Sequence, residues 1–497
     1  MTVGTDERAG VRRWAALAAL TLAVTLLAVD GTVLALAVPA LMADLEPTGT
    51  QLLWIGDVYS FALAGLLISM GTLADRIGRR RLLLFGVAGF GAASLLAAFA
   101  PGAGWLIAAR VLLGVAGATL MPSTLSLVRN LFPEPGLRTR AIAVWAAGAS
   151  GGAALGPLVG GVLLEHFWWG SVFVINLPIM LLVLLGVALL VPESRNPAPG
   201  PFDPLSALLS VTAVVPIVWA VKHVAHEGAD LPALIAALAG LACAIWFVRR
   251  QRALPSPLVD VTLFTRPAFS GTILASMIAI FAFSGLLFFF SQYLQLVRGY
   301  SPLQAGLREL PLTLASIAVV AVAVRVMARL GVGRALGASL LAAAAGLAVL
   351  AVGEGLSGFA VMAVGLVVVG LGVGLAFTAA TDAVLAAVPA ERAGAASAIS
   401  EMAYELGVAL GIALLGTVQA VLYRDALPDL SGWPVGSRAA VDESLATAVQ
   451  SGPAVLVPAA QEAFSSAMQT TSYVAAVLLL VAGLLAWRLV PSERVAS

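Results

Sequence analysis

The sequence predicts an all-α polytopic membrane protein with fourteen transmembrane helices, arranged as two six-helix halves with a two-helix insert between them. Three observations carry this. First, the chain of 497 residues is 61% hydrophobic and only 11% charged, where a soluble globular chain carries about 25% charged residues. Second, apolar runs near the roughly 20 residues needed to cross a bilayer recur along it. They start near Trp14, Gln51, Leu82, Ala103, Thr139, Trp169, Asp203, Leu231, Phe269, Pro302, Ala335, Phe359, Gly394 and Ser472. Third, "GVAGATLMPSTLSLVRNLFPEPG" (114–136) resembles "GLGVGLAFTAATDAVLAAVPAER" (370–392), and "DRIGRRRLLL" (75–84) resembles "LGVGRALGAS" (330–339). The two displacements nearly agree, as an internal repeat requires.

Domain limits follow: an N-terminal bundle at 1–200, an insert and linker at 201–262, and a C-terminal bundle at 263–497. A long polar stretch at about 424–470 reads as an outer loop before the last span. The apolar start, "VRRWAALAALTLAVTLLAVDG", is too long for a signal peptide and reads as the first span. With both termini in the cytoplasm, most of the 27 Lys and Arg fall inside, including Arg76, Arg79, Arg80, Arg81, Arg392 and Arg494. Lys222, Arg298, Arg308, Arg424 and Arg438 fall outside, and Arg110 alone is left within a span. A multi-pass protein of the cytoplasmic (plasma) membrane, inserted as a monomer, is the expectation.

Net charge is +1, so nothing points to a nucleic-acid partner. The one cysteine, Cys243, allows neither a disulfide nor a cysteine metal site within the chain. No P-loop, metal-spaced cluster or Ser/His/Asp set is legible, and His166, His223 and His226 fall in outer loops. An enzyme is therefore not expected, nor is any metal or cofactor.

Acids inside spans carry the chemistry. Each costs about 2.5–3.5 kcal/mol at a helix centre and marks a functional site unless it escapes to the interface. Glu401 and Glu405, in "ISEMAYELGVALG" (399–411), share one helix face with Tyr404 beside them. Two like charges so placed repel, which makes the pair a proton site that another cation could contest. Asp30 lies in the outer half of the first span. Asp57 lies nearer the outer end of the second, where an interfacial placement competes with a functional one. Arg110 needs a partner, and Asp30, in the same half of the membrane, is the first candidate. Glu309 and Asp382 lie nearer helix ends and read as solvated. Aromatic side chains beside the carboxylates, such as Trp54, Tyr59 and Tyr404, suit a flat organic cation.

Two glycine-rich stretches complete the pattern. "GTLADRIGRRR" (71–81) is a turn in which Gly71 and Gly78 permit a tight connection and Asp75 can pair with an arginine. "GASGGAALGPLVGG" (148–161) lets helix backbones approach through Gly152, Gly156, Gly160 and Gly161, while Pro157 can bend the helix.

These residues carry a resemblance. "GTLADRIGRRR" resembles the loop motif of the major facilitator superfamily, and "GPLVGG" its drug/proton antiporter motif. Arg110 with Gly114 matches the fourth-helix motif. "VDGTVLALAVP" and "SVFVINLP" (171–178) resemble motifs of the fourteen-span antiporter branch, and "EMAYELG" (401–407) a segment of members exporting quaternary ammonium compounds and cationic dyes. Ala35 stands where an asparagine is usual, and Ser171 where an aromatic is usual.

The resemblance implies a proton-coupled multidrug efflux transporter of the kind tied to antibiotic resistance, working by alternating access. Its partners would be cationic, aromatic or amphiphilic drugs and protons. Asp75, Arg76, Arg79 and Arg80 would latch the inner gate. Gly156 and Pro157 would lie between the halves. Arg110 and Asp30 would take part in proton coupling, and Glu401 and Glu405 would meet drug or proton. An exporter of an endogenous lipid or cell-envelope compound, and a proton-coupled uptake carrier, are the competing readings.

Overall fold

A computed structural model describes residues 3–195, 203–255, 257–386, 393–430 and 434–490. Arg392, Arg494 and the junction near residue 200 lie outside them. Among the described residues, thirteen helices are long and apolar enough to cross a membrane, and the bent fifth helix, taken as one span, makes fourteen.

The N-terminal half is built from α1 (Val3–Leu45), α2 (Gly49–Ile77), α3 (Arg79–Ala98), α4 (Ala103–Leu131), α5 (Pro135–His166), the short α6 (Ser171–Val174) and α7 (Asn176–Leu190). The insert is α8 (Pro204–Glu227) and α9 (Leu231–Ala253). The C-terminal half contains α10 (Pro267–Gln292), α11 (Pro302–Ala318), α12 (Val320–Leu330), α13 (Val332–Glu354), α14 (Ala360–Ala386), α15 (Ala393–Leu410), α16 (Gly416–Asp425), two short helices α17 (Val435–Glu443) and α18 (Leu445–Ser451), and α19 (Val457–Leu489). Two π-helical turns, Tyr293–Val297 and Gly411–Leu415, extend α10 and α15.

Local sequence sets the helix ends. Thr48 and Ser301 cap α2 and α11 through reciprocal bonds with Gln51 and Gln304. Asp203 and Asp230 cap α8 and α9, accepting from the Ser206 N–H at 3.1 Å and the Ala233 N–H at 2.9 Å. The Ala233 N–H, then His223, hold the Asp230 carboxyl below its usual range. Arg250 reaches Asp203 at 3.1 Å and His223 reaches Asp230 at 2.9 Å, so the insert is stapled into a hairpin at both ends. Gly78 turns the chain between α2 and α3 at φ 114°, a conformation only glycine adopts without strain.

Each half has its own core: Leu17, Phe90, Leu106 and Val183 in one, Leu340, Leu366, Tyr293 and Met468 in the other. The side chains of Leu95, Phe85, Leu182, Leu238 and Val477 point outward and supply the lipid-facing band. On the face opposite the Gly78 turn the halves meet. Pro157 of α5 presses its carbonyl against Gly306 of α11, and Gly161 lies so close to Leu303 that an added Cβ would stand 2.8 Å from its Cα. Gln295 donates to the Leu36 carbonyl of α1 at 3.0 Å, and the Gly49 N–H to Glu443 at 3.2 Å. The molecule is thus closed on that face.

Four expectations change. Lys222 is not in an outer loop: α8 continues past the apolar run and buries it completely. His223 is likewise part of α8, stacked on Trp219 with ring centres 4.7 Å apart. Glu309 is not solvated, because α5 covers α11 at Gly306 and leaves it 1% exposed. The polar stretch before the last span is folded into α17 and α18, and α19 starts at Val457 rather than Ser472 because its first turns are amphipathic rather than uniformly apolar.

Candidate functional site

Gly114 opens the site. A Cβ there would stand 2.7 Å from that of Ala62, so only glycine lets α4 approach α2 so closely. One turn away, the Arg110 guanidinium enters between α1 and α2. It donates to Asp30 Oδ2 at 3.3 Å, to the Ile55 carbonyl at 3.1 Å and, weakly, to the Gly56 carbonyl at 3.5 Å. Its carbon lies 4.6 Å from the centre of the Tyr59 ring. The other Asp30 oxygen accepts from Asn176 at 2.9 Å, and Asn176 also donates to Ser94 at 3.1 Å. The pair is essentially sealed, with side chains 3% and 0% exposed. The partner expected for Arg110 is therefore the one it has. Asn176 was not singled out from the sequence, although an amide in the apolar "SVFVINLP" is a signal of the same kind as an acid.

Across α2 stand the carboxyls of the other half. Glu401 is half-buried and Glu405 buried, both on α15, which packs along α2 and α10. Glu405 faces Ser60 and lies within electrostatic reach of Arg110 and Tyr59. Tyr59 and Ser60 are consecutive on α2, so this helix stands between the Asp30–Arg110 pair and the Glu401–Glu405 pair. Tyr404 packs edge-on against Phe377 of α14, ring centres 5.9 Å apart. Among the described residues, no Lys, Arg or His nitrogen lies within 4.0 Å of either glutamate oxygen.

The remaining expected residues fall elsewhere. Asp57 points away from this group toward α8, where Lys222 holds it at 2.6 Å. In the 71–81 turn, Arg79 pairs with Asp75 at 2.8 Å, and the Arg79 N–H donates to the Ser194 carbonyl at 2.9 Å. Arg80 binds the last α7 carbonyls, Val187 and Ala188, and Arg76 is exposed. Gly71 lies against Pro122 of α4, and a Cβ on Gly78 would stand within 3 Å of the Glu193 carboxylate. These contacts all stay within the N-terminal half. Along α5, Gly152, Gly156 and Gly160 face Thr25, Thr32 and Val33 of α1, whereas Pro157 and Gly161 meet α11 of the other half. Two further acids are buried: Glu309, expected to be solvated, whose oxygens make no hydrogen bond among the described residues and face Ser291, and Glu354, not singled out from the sequence, which accepts from Ser472 at 3.1 Å.

Comparison with known proteins decides the family. The profile described as Major Facilitator Superfamily matches residues 20–412. The chain belongs to this superfamily. It is a membrane transporter, not an enzyme. It is 47% identical over 96% of both chains to the multidrug efflux pump LfrA of Mycolicibacterium smegmatis. To the methyl viologen resistance protein SmvA of Salmonella typhimurium it is 38% identical, over 95% of this chain and 98% of the other. The transporter's fold also matches a bacterial homologue of the human lysosomal transporter Spinster, solved inward-facing and occupied, with TM-score 0.70, 18% identity and 95% coverage of both chains. A D-xylose–proton symporter follows with TM-score 0.62, 14% identity, and 96% and 98% coverage.

Proposed function

We propose that this transporter exports lipophilic organic cations, such as quaternary ammonium compounds and cationic dyes, in exchange for protons by alternating access. One observation carries the reading: two carboxyls on one face of α15, Glu401 and Glu405, lie across α2 from a sealed Asp30–Arg110 pair and have no cation of their own among the described residues. A carboxylate held away from water needs a proton or a cation, and the two compete for one seat. The names of the relatives support the direction and the substrate class, since they include a multidrug efflux pump and a protein of resistance to methyl viologen, itself an aromatic cation.

The cycle follows. With the Gly78 face in the cytoplasm and the α5–α11 face closed, drug enters from inside and displaces proton from the Glu401–Glu405 pair. The halves then rock, α5 and α11 part, and drug leaves. Outside protons reload the glutamates and permit return. The returning protons neutralise the glutamates, while Arg110, balanced by Asp30 and lying beside Tyr59, is a fixed charge within electrostatic reach of Glu405.

Swapping one proton for one monovalent cation moves no net charge, so only the pH gradient, worth about 1.4 kcal/mol per unit, would drive it. A second proton adds the electrical term, about 2.3 kcal/mol per 100 mV. Two glutamates on one face allow that second proton, so export is electrogenic. Everted vesicles that hold an acid interior test the reading. A cationic dye should dissipate the gradient, a neutral or anionic compound should not, and Glu401→Gln at equal expression should abolish the effect. A gradient insensitive to every cation would refute it.

A further inference from the structure

The insert makes an unexpected connection. Along α8, the Ser210 hydroxyl donates to the Gly65 carbonyl of α2 at 3.1 Å, and Gly65 lacks the Cβ that would strike Val211. Farther along α8, the Lys222 ammonium meets Asp57 Oδ2 at 2.6 Å and lies 3.9 Å from the centre of the Trp54 ring. Both charged side chains are 0% exposed. On the same stripe of α8 as Lys222, Val214, Val215 and Val218 join an apolar cluster with Trp54 and Phe61 of α2 and with Leu406, Ala409, Leu410 and Ala413 of the C-terminal half. The helix therefore spans the seam between the halves. It is bonded through polar groups to one half and meets the other through apolar groups.

The two contacts respond differently to motion. A buried ion pair pulled apart leaves two uncompensated charges in a medium that cannot solvate them. An apolar surface of valines, leucines and alanines can slide and exchange one van der Waals contact for another. We propose that Lys222 is a positioning residue for transport. Its pair with Asp57 fastens the insert to the N-terminal half, so that α8 travels with that half and slides over the Gly411–Leu415 turn and α16 as the carrier changes state, and Asp57 is withdrawn from proton and substrate binding. This inference rests on alternating access and not on the identity of the substrate.

Four variants and one distance measurement test it. Lys222→Met and Asp57→Asn each strand one buried charge and should lower the kcat of tetraphenylphosphonium efflux at least tenfold per molecule in the membrane, with KM unchanged. The paired variant Asp57→Asn/Lys222→Met and the charge swap Asp57→Lys/Lys222→Asp should each recover most of that loss. A part limited to folding would lower the amount of protein and leave kcat per molecule untouched. In a Cys243→Ser background, spin labels at the exposed positions Leu208 on α8, Phe85 on α3 and Leu314 on α11 report the motion. The 208–85 distance should stay the same between acid pH and tetraphenylphosphonium-loaded states, while 208–314 changes. A paired variant whose kcat stays at least tenfold below that of the native protein would show that the carboxyl itself is required. A 208–85 distance that moves as much as 208–314 would show that the insert is not fastened to that half. Either result overturns the proposal, and both remain readable if the single variants do not fold.

Discussion

Asp30 and Glu405 are both buried acids of a membrane transporter, yet their surroundings are opposite. Asp30 has Arg110 on one oxygen and Asn176 on the other, and both partners are anchored in turn by backbone carbonyls and Ser94. Glu405 has a hydroxyl before it and a second glutamate one turn away. The first arrangement is complete and the second invites an additional positive charge. The difference teaches that intramembrane acids are not one class: a paired acid holds helices in place, and an acid without a cation is where cargo exchange can happen. Gly114 and Asn176 surround an acid of the first kind, and Glu401 and Glu405 on α15 are the proposed acids of the second.

The comparison breaks first at Arg110. Removing one member of a buried ion pair costs about 3–5 kcal/mol, so Arg110→Met should leave little folded protein by size-exclusion of the solubilised membrane. Arg110→Lys should not recover it, because a single ammonium cannot reach Asp30 and two α2 carbonyls together. Asn176→Ala strips one donor from a buried carboxylate and should cost about 1–3 kcal/mol, read as a lower thermal midpoint in detergent. Both effects are on stability.

The glutamates should behave in the reverse way. Glu405→Gln replaces a carboxyl that has no cation within 4.0 Å among the described residues, so the thermal midpoint should hold or rise while efflux of tetraphenylphosphonium falls at least tenfold. A large loss of stability in Glu405→Gln, with normal transport per molecule, would erase the distinction. Collapsing the membrane potential at fixed pH gradient should slow export, and equal rates with and without potential would exclude the second proton. The smallest effect is expected at Glu309, whose oxygens make no hydrogen bond among the described residues. Replacing it with Leu should stabilise the protein by roughly 1 kcal/mol, measurable by the same thermal assay.

The fold and the pairing of Arg110 were legible in the sequence for one physical reason. Lipid tolerates neither a loose backbone nor a lone permanent charge, so apolar runs must be helices and a mid-span arginine must have an acid at its depth. Lys222 escaped this logic because "VKHVAHEGAD" reads as a polar loop. Its depth depends on Asp57 lying opposite, and that is a fact of packing between α2 and α8. Glu309 escaped for a related reason: near Pro311 and a helix start it looks solvated, and only the close crossing of α5 and α11 at Gly306 buries it. The glycines of α5 were legible as close-contact positions, but a sequence does not say that Gly156 faces α1 while Pro157 faces α11.

The most direct test of the central claim measures proton release on binding. Purified protein in weakly buffered detergent solution, with a pH indicator dye, should release protons when tetraphenylphosphonium is added. Replacing Glu401 and Glu405 together by glutamine should abolish the release while Asp57→Asn/Lys222→Met keeps it. Saturable binding of the cation with no proton released from the native protein would contradict the account.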